Sequence, residues 1–577
     1  MQVPGIRRFI GAQRPAGGGT PSIADGQRRA WRRFVGALVL ALVALVAIVL
    51  NIQPVNRAAD YLTLRHLQTP TFEPAPPAQP VGTTLAHVWT DLRSQAGIRF
   101  LHDLLPTQGG VLWIAVLVAL VVAFDFQDIR NPRNLELASL LVVGFLMFDI
   151  LRFFDLLTDP TYFQVMDWVF TGIVAASLWL AARAAWRLRH PYRTPWTPNL
   201  PARALVVLTI VLLSLNAMIT VVREPDDAGF YTNLGGQRLR ERGMFSYGDP
   251  MLTGSPAAAY GPVLFLAHVP FQLLFDPHPA NPPKPPDPVR SGLFYRLPPL
   301  QASQLATLAF HLMGVTALVL AVRRLAGARV AWGVAALYCG SAYVLGVGGA
   351  RESIGGLTFI SHTAAPALTL AAVACLASPL AAGALLALGV ATVFYPLFFV
   401  PAWLGYFSRD RSTALRFLGG IALAAIVVGG PVLARSRAID GHSLIGTVVR
   451  ETLGHHQSSE AYGTTPFGFW GQREGVRGWL QRELVHGQAV TTPMFLLVAG
   501  LAILAFFPAR RATPQQLALL SAALAVLVDV WKILGTGVYV TWYYPLLLIG
   551  FFAYGDQARE EPVTPGDAAT RLERHHA

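Results

Sequence analysis

Charge is what this sequence has least of. Asp, Glu, Lys and Arg make up 13% of its 577 residues, where a soluble globular chain carries about a quarter. With 53% hydrophobic residues and a mean hydropathy of +0.46, most of the chain must be solvated by lipid tails, which excludes a soluble domain before any motif is read. Lysine occurs only as Lys284 and Lys532, so the net charge of +13 comes from arginines scattered along the chain. The clustered Lys and aromatics of a nucleic-acid footprint are missing, so no nucleic-acid partner is expected. The two cysteines, Cys339 and Cys375, lie in apolar segments, where neither a disulfide framework nor a metal-thiolate site is expected. No Gly-rich phosphate loop followed by Lys-Ser/Thr occurs, nor G-x-G-x-x-G after a strand, nor a polar stretch long enough for a nucleotide-binding fold.

What is present is a series of apolar runs. Residues 1–33 are polar and basic, carrying Arg7, Arg8, Arg28, Arg29, Arg32 and Arg33, and precede an apolar run to about residue 50. Its length and the absence of a small-residue cleavage site read as a retained signal anchor with a cytoplasmic N-terminus. A polar loop with the Pro-rich centre PTFEPAPPAQP follows, expected outside the membrane as extended polyproline II. Apolar runs come next near 111–125, 136–153, 165–186 and 204–222. The links carrying Arg130 and Arg133, and Arg183, Arg187, Arg189, Arg193 and Arg203, fall on the cytoplasmic side, as the positive-inside rule requires. The loop after Val222 is therefore expected outside.

Tyr260 to Phe275 is short and Pro-interrupted and reads as juxtamembrane or re-entrant. Further spans are expected near 303–322, 330–347, 360–377, 414–433, 492–508, 515–531 and 538–555, with 380–407 broken at Tyr395-Pro396 into two short helices that dip in and back. This choice leaves Arg323, Arg324, Arg329, Arg409, Arg411, Arg416, Arg510, Arg511 and the C-terminal arginines on the cytoplasmic side. The chain then divides into a basic tail (1–33), a four-span extension (34–203), a main membrane unit (204–555) and a cytoplasmic tail (556–577).

The loop after Val222 opens with Asp226 and Asp227, close to the membrane boundary. Desolvation there raises a carboxylate pKa and makes a better base near neutral pH. Tyr231, Leu234 and Leu239 follow at roughly helical spacing, an amphipathic helix that would hold the pair over a membrane-level cavity. The same dipeptide would equally serve to cap that helix, and spacing does not decide between the two.

A spanning helix, an acidic pair, a Tyr a few residues on, Gly243 to Tyr247, and then Tyr260-Gly261-Pro262 opening an apolar segment form a pattern that resembles the first external loop of GT-C superfamily glycosyltransferases. It looks most like the bacterial polyprenyl-phosphate-mannose-dependent mannosyltransferase branch. The run LAAGALLALGVATVFYPLFFVPAWLGYF is similar to that family's paired short helices, although Tyr395 stands where relatives often carry Lys. The segment RETLGHHQSSEAYGTTPFGFWGQ resembles its late external loop, and Ser361-His362 stands where the family's Gly-Gln-x-Asn would be. The resemblance covers about 204–555. It implies an all-α, GT-C-like bundle of about 12–14 transmembrane helices with two functional external loops, in the bacterial inner membrane, with both termini cytoplasmic. It further implies transfer of mannose or another hexose or pentose from a polyprenyl-phosphate donor to an extracytoplasmic lipid, glycan or protein acceptor. Asp226 or Asp227 would be the base or, in some branches, a divalent-cation ligand; no other cofactor is implied.

Such a transfer needs a base for the acceptor hydroxyl and cationic or hydrogen-bonding groups for the departing phosphate. Phosphate candidates are Arg351, His455, His456 and Arg473, an arginine presenting a planar fork to phosphate oxygens. Arg351 could instead pair with Glu352, and Arg473 could be a solvated loop charge. His455-His456 lacks the third partner of a metal site. His362 in an apolar helix reads first as a core histidine, although ionisable groups in membranes are functional by default. Tyr231 and Tyr260 would line the substrate site. Trp470, Trp542 and Tyr543 either stack on the sugar or belong to the interfacial aromatic belt. Two other classes compete. A lipid-linked-glycan flippase would bury polar groups at mid-membrane, and an envelope glycan polymerase or ligase would depend on the late-loop Arg and His rather than on the acidic pair.

Overall fold

The computed structural model describes residues 108–154, 160–192, 194–223, 225, 227–249, 256–275, 299–346, 357, 359–439, 441–454, 488–531 and 539–554. The expected anchor, Pro-rich loop and C-terminal tail lie outside them. Among the described residues every regular element is a helix, so the chain is all-α.

In chain order the helices are α1 (Gln108–Val122), α2 (Pro132–Phe154), α3 (Pro160–Arg189), α4 (Ala202–Val222), α5 (Asp227–Arg242), α6 (Pro262–Phe275), α7 (Leu300–Ala326), α8 (Ala328–Cys339), α9 (Ile360–Ala374), α10 (Pro379–Val390), α11 (Val400–Phe407), α12 (Arg411–Ala424), α13 (Leu444–Val449), α14 (Gln488–Leu504), α15 (Pro514–Trp531) and α16 (Val540–Phe552). α12 continues through a π turn, Ala425–Gly429, into Gly430–Arg435. Pro431 lacks the N–H that an α-helical ladder would use there, and a wider turn accommodates the gap.

Five helical stretches are long and apolar enough to cross a membrane: Ala202–Val221, Leu300–Ala326, Arg411–Arg435, Thr492–Ala509 and Pro514–Trp531. Their outer faces carry Val207, Val211, Ile426, Val427, Leu496 and Ile503, all exposed, as lipid contact requires. Other apolar helices, α8, α9, α10 and α16 among them, hold 10–17 residues, fewer than the ~20 that a single crossing needs. The span expected over 330–347 is one such case. It stops at Cys339, and Ser341 starts a separate turn, Ala342–Leu345, by accepting a hydrogen bond from the Val344 N–H. The break expected at Tyr395-Pro396 is present as a 3-10 turn, Tyr395–Phe399, between α10 and α11.

One continuous core joins Ile173, Leu180 and Ala184 of α3 to Leu517 and Leu524 of α15 and Leu547 of α16, so residues 108–203 are built into the same bundle as 300–553. Polar bonds then gather many links at one end. Arg329 donates to the carbonyls of Pro198 and Leu200, Arg324 to that of Ala374, and Arg409 to those of Arg510 and Ala512. Gln516 donates to the Leu188 carbonyl and Arg133 to that of Thr194. These arginines satisfy carbonyls at helix ends and links that would otherwise lack donors. They lie at the same end, as the arginine pattern of the sequence leads one to expect.

Candidate functional site

The opposite end carries the loops. α5 begins at Asp227, which puts the acidic dipeptide at a helix N-terminus. Asp226 and the side chain of Asp227 lie outside the described residues. The helix itself is not the amphipathic surface helix expected: Thr232, Asn233, Leu234, Gln237 and Arg238 are all buried. Asn233 and Arg238 find partners that no local window reveals. Asn233 donates to the Pro299 carbonyl at the start of α7, Gln272 of α6 donates to Asn233, and Arg238 forms a buried ion pair with Asp249 at 3.0 Å. Gln304 of α7 donates to the Val221 and Arg223 carbonyls at the end of α4.

Two other segments meet this loop. The Phe245 N–H donates to the Arg435 carbonyl, the Arg437 N–H to the Tyr247 carbonyl, and the Gly248 N–H to Glu451 Oε2 at 2.7 Å. Gly248 has φ +69°, and a Cβ there would stand 1.8 Å from the Arg437 carbonyl oxygen, so only glycine permits this crossing. On its other side the Gly261 and Val263 N–H groups donate to the Thr392 and Ala391 carbonyls at the tip of the α10–α11 hairpin. A Cβ at Gly261 would lie 2.1 Å from the Ala391 carbonyl. The early loop, the paired short helices and the start of the late loop therefore converge around residues 243–263.

Tyr260 sits at that junction, half-buried, packed against three hydrophobic clusters of the described residues and accepting the Tyr247 hydroxyl at 2.7 Å through its carbonyl. Burial, reinforced by Glu451 nearby, holds the Tyr247 hydroxyl well above the ordinary phenol range, so it remains a donor. Tyr231 is half-buried with its ring edge-on to Phe230.

Next to the junction, Ile360 of α9 packs with Leu264 and Tyr260, and two residues on His362 enters an aromatic ladder. Phe359 stacks on His362 at 4.7 Å, His362 meets Tyr539 at 4.8 Å, Tyr539 stacks on Trp542 at 4.1 Å, and Trp542 stacks on Tyr395 at 4.1 Å. Trp542 has no exposed surface and both indole faces are covered, so it neither offers a face to a sugar nor sits in an interfacial belt. Tyr543 is likewise fully buried. His362 takes the core position that its apolar helix suggests.

Arg351, His455, His456, Trp470 and Arg473 lie outside the described residues. Among the described residues no group of His, Cys, Asp or Glu is arranged to hold a metal ion. Sequence reasoning missed Arg238, Asp249 and Glu451. The only local sign of them was the Tyr247-Gly248-Asp249 triplet, a glycine set between an aromatic and a carboxylate. No protein-family model, no curated protein and no solved structure matches this chain.

Proposed function

We propose that the chain is a GT-C-like membrane glycosyltransferase that moves a sugar from a polyprenyl-phosphate donor to an acceptor outside the cytoplasm. The observation that carries this reading is the convergence at residues 243–263. The three segments whose motifs resemble the family's early loop, paired short helices and late loop are far apart in sequence yet bonded to one another through Gly248, Gly261 and Glu451. In this reading the arginine-rich end faces the cytoplasm and the bundle completes about 12–14 crossings.

Asp226 or Asp227, at the head of α5, is the base that takes the proton of the acceptor hydroxyl. The buried Arg238–Asp249 pair and the Glu451 bond hold the loop that follows, so the carboxylate is aimed by a fixed helix rather than by a free loop. Departing phosphate is met by Arg351 and by the late-loop His455, His456 and Arg473. With the donor's tail held in lipid, substrate approaches along the membrane surface and no nucleotide-binding domain is needed. The test is transfer from a polyprenyl-phosphate sugar by reconstituted chain. Asp226→Asn or Asp227→Asn is expected to lower kcat by roughly 100-fold or more; full transfer by the double variant overturns the mechanism.

A second reading has its own support. Asn216 and His311, paired at 3.1 Å inside α4 and α7, and Asp529 near the end of α15 are buried polar groups within membrane helices, as a path for a lipid-linked glycan would require. Movement of labelled donor across the bilayer without product would favour it.

A further inference from the structure

The end of α12's continuation fixes a level in the bilayer. The stretch Arg411–Arg435 is a membrane-crossing helix by length and composition, and the chain stays near its end for the next fifteen residues because Arg435 and Arg437 are bonded back to the early loop. There it forms α13, whose two sides differ. On the inner side Thr447 is buried, its Oγ1 accepting from the Ile439 N–H, and Val448 packs on the cluster of Phe245, Tyr247, Phe265 and Val432. On the outer side Ile445 and Val449, one turn apart, are 63% and 48% exposed.

Around this apolar strip stand exposed cations. The guanidinium groups of Arg242, Arg435 and Arg437 make no hydrogen bond or ion pair among the described residues, and Arg450 meets His442 Nε2 at 3.2 Å. Arg435 reaches to within 3.2 Å of a Cβ placed on Gly243, so it lies beside Arg242. Among the described residues the nearby carboxylates are committed elsewhere: Asp249 to Arg238, Glu451 to the Gly248 N–H, and Glu241 to Gln237. The surface thus combines exposed aliphatic groups, exposed positive charge and a position at the end of a membrane helix. A protein partner in water would gain nothing from the last of these.

We propose that α13 and its flanking arginines rest on the bilayer and bind the phosphate of an anionic phospholipid headgroup. Arg435, Arg437 and Arg450 meet the phosphate, and Ile445 and Val449 enter the acyl boundary. A planar guanidinium suits phosphate oxygens, and a short amphipathic element with basic flanks lies in the interface plane. The binding requires neither a particular leaflet nor the glycosyltransferase reading.

Native mass spectrometry of the full chain released from phosphatidylcholine nanodiscs doped with phosphatidylglycerol tests it. Wild-type chain should retain phosphatidylglycerol preferentially. Each of Arg435→Gln, Arg437→Gln and Arg450→Gln should lower retention by roughly fivefold, and Arg189→Gln at the other end should not. Equal retention by the triple variant, or displacement by excess inorganic phosphate, overturns the lipid assignment. A spin label on Ile445→Cys in a Cys375→Ser background reads the same contact without depending on affinity. Greater collision with oxygen than with a nickel chelate is expected, and the reverse order overturns the proposal.

Discussion

The two ends of this bundle use arginine in opposite ways. At the tight end each of Arg133, Arg324, Arg329 and Arg409 donates to carbonyls at helix ends or links. Arg183 and Arg187 share the fully buried carboxylate of Glu136, which also accepts the Tyr192 hydroxyl. Burial lowers the Arg133 pKa to about 10, with the Tyr192 ring beneath it at 4.3 Å. At the loop-bearing end one buried arginine, Arg238, is paired, while Arg242, Arg435 and Arg437 point their charge outward unpaired among the described residues. The same residue type closes one end and leaves its charge exposed at the other. The positive-inside rule counts arginines; the structure separates those that are structural from those with charge to offer.

The contrast can be broken at the tight end first. Glu136→Leu leaves one buried guanidinium, Arg187, and one partly buried, Arg183, without a counter-charge and should cost about 3 kcal/mol, seen as a large drop in thermal midpoint in detergent. Adding Arg183→Met and Arg187→Leu should restore most of it, and no restoration would mean that the cluster is not the source. Next comes the crossing of the early and late loops. Gly248→Ala combines left-handed strain with a backbone clash and should cost about 2–4 kcal/mol, abolishing sugar transfer if the loops form one site; retained transfer would separate them. A smaller effect is expected of Glu451→Gln, which removes the charge from one buried hydrogen bond at about 1 kcal/mol. Its kcat should fall with little change in the thermal midpoint.

The smallest effect lies back at the tight end, where Asp410 caps α12 by accepting from the Ser412 hydroxyl and the Thr413 N–H. Those bonds hold its carboxyl below the usual range, the Ser412 hydroxyl most strongly. A depressed folded pKa contributes stability above the unfolded pKa and loses it as pH falls through the folded value. The stability difference between wild type and Asp410→Ala should therefore be present at neutral pH and vanish in strong acid. A difference independent of pH would remove the cap from the account.

Much of the helix layout was legible, and the reasons are local. Apolar runs mark α4, α7, α12 and α15, and the Tyr395-Pro396 break follows from proline's missing N–H. The Cys339 stop was not legible, because Ser341 reads as an ordinary small residue within an apolar run until its hydroxyl is seen to cap a turn. Nor could sequence pair Glu136 with Arg183 and Arg187, 47 and 51 residues away. His362 and Trp542 stood out singly as a rare intramembrane ion-former and a large aromatic. Their common ladder depends on Tyr395 from the α10–α11 hairpin and on Tyr539 at the head of Trp542's own helix, which meets His362 of α9, and it turns Trp542 from a sugar platform into a packed core residue. The burial of α5 was hidden for the same reason: its partners are in α6 and α7.

Everything proposed for catalysis requires that the end bearing α5 face out of the cytoplasm. A cysteine at Pro225, in a chain carrying Cys375→Ser and retaining beside it only the buried Cys339, can be challenged in intact cells with a membrane-impermeant maleimide, alongside a cysteine at Arg189 in a second such chain. Labelling at 225 and protection at 189 until the membrane is opened is the predicted result; protection at 225 with labelling at 189 would contradict the account.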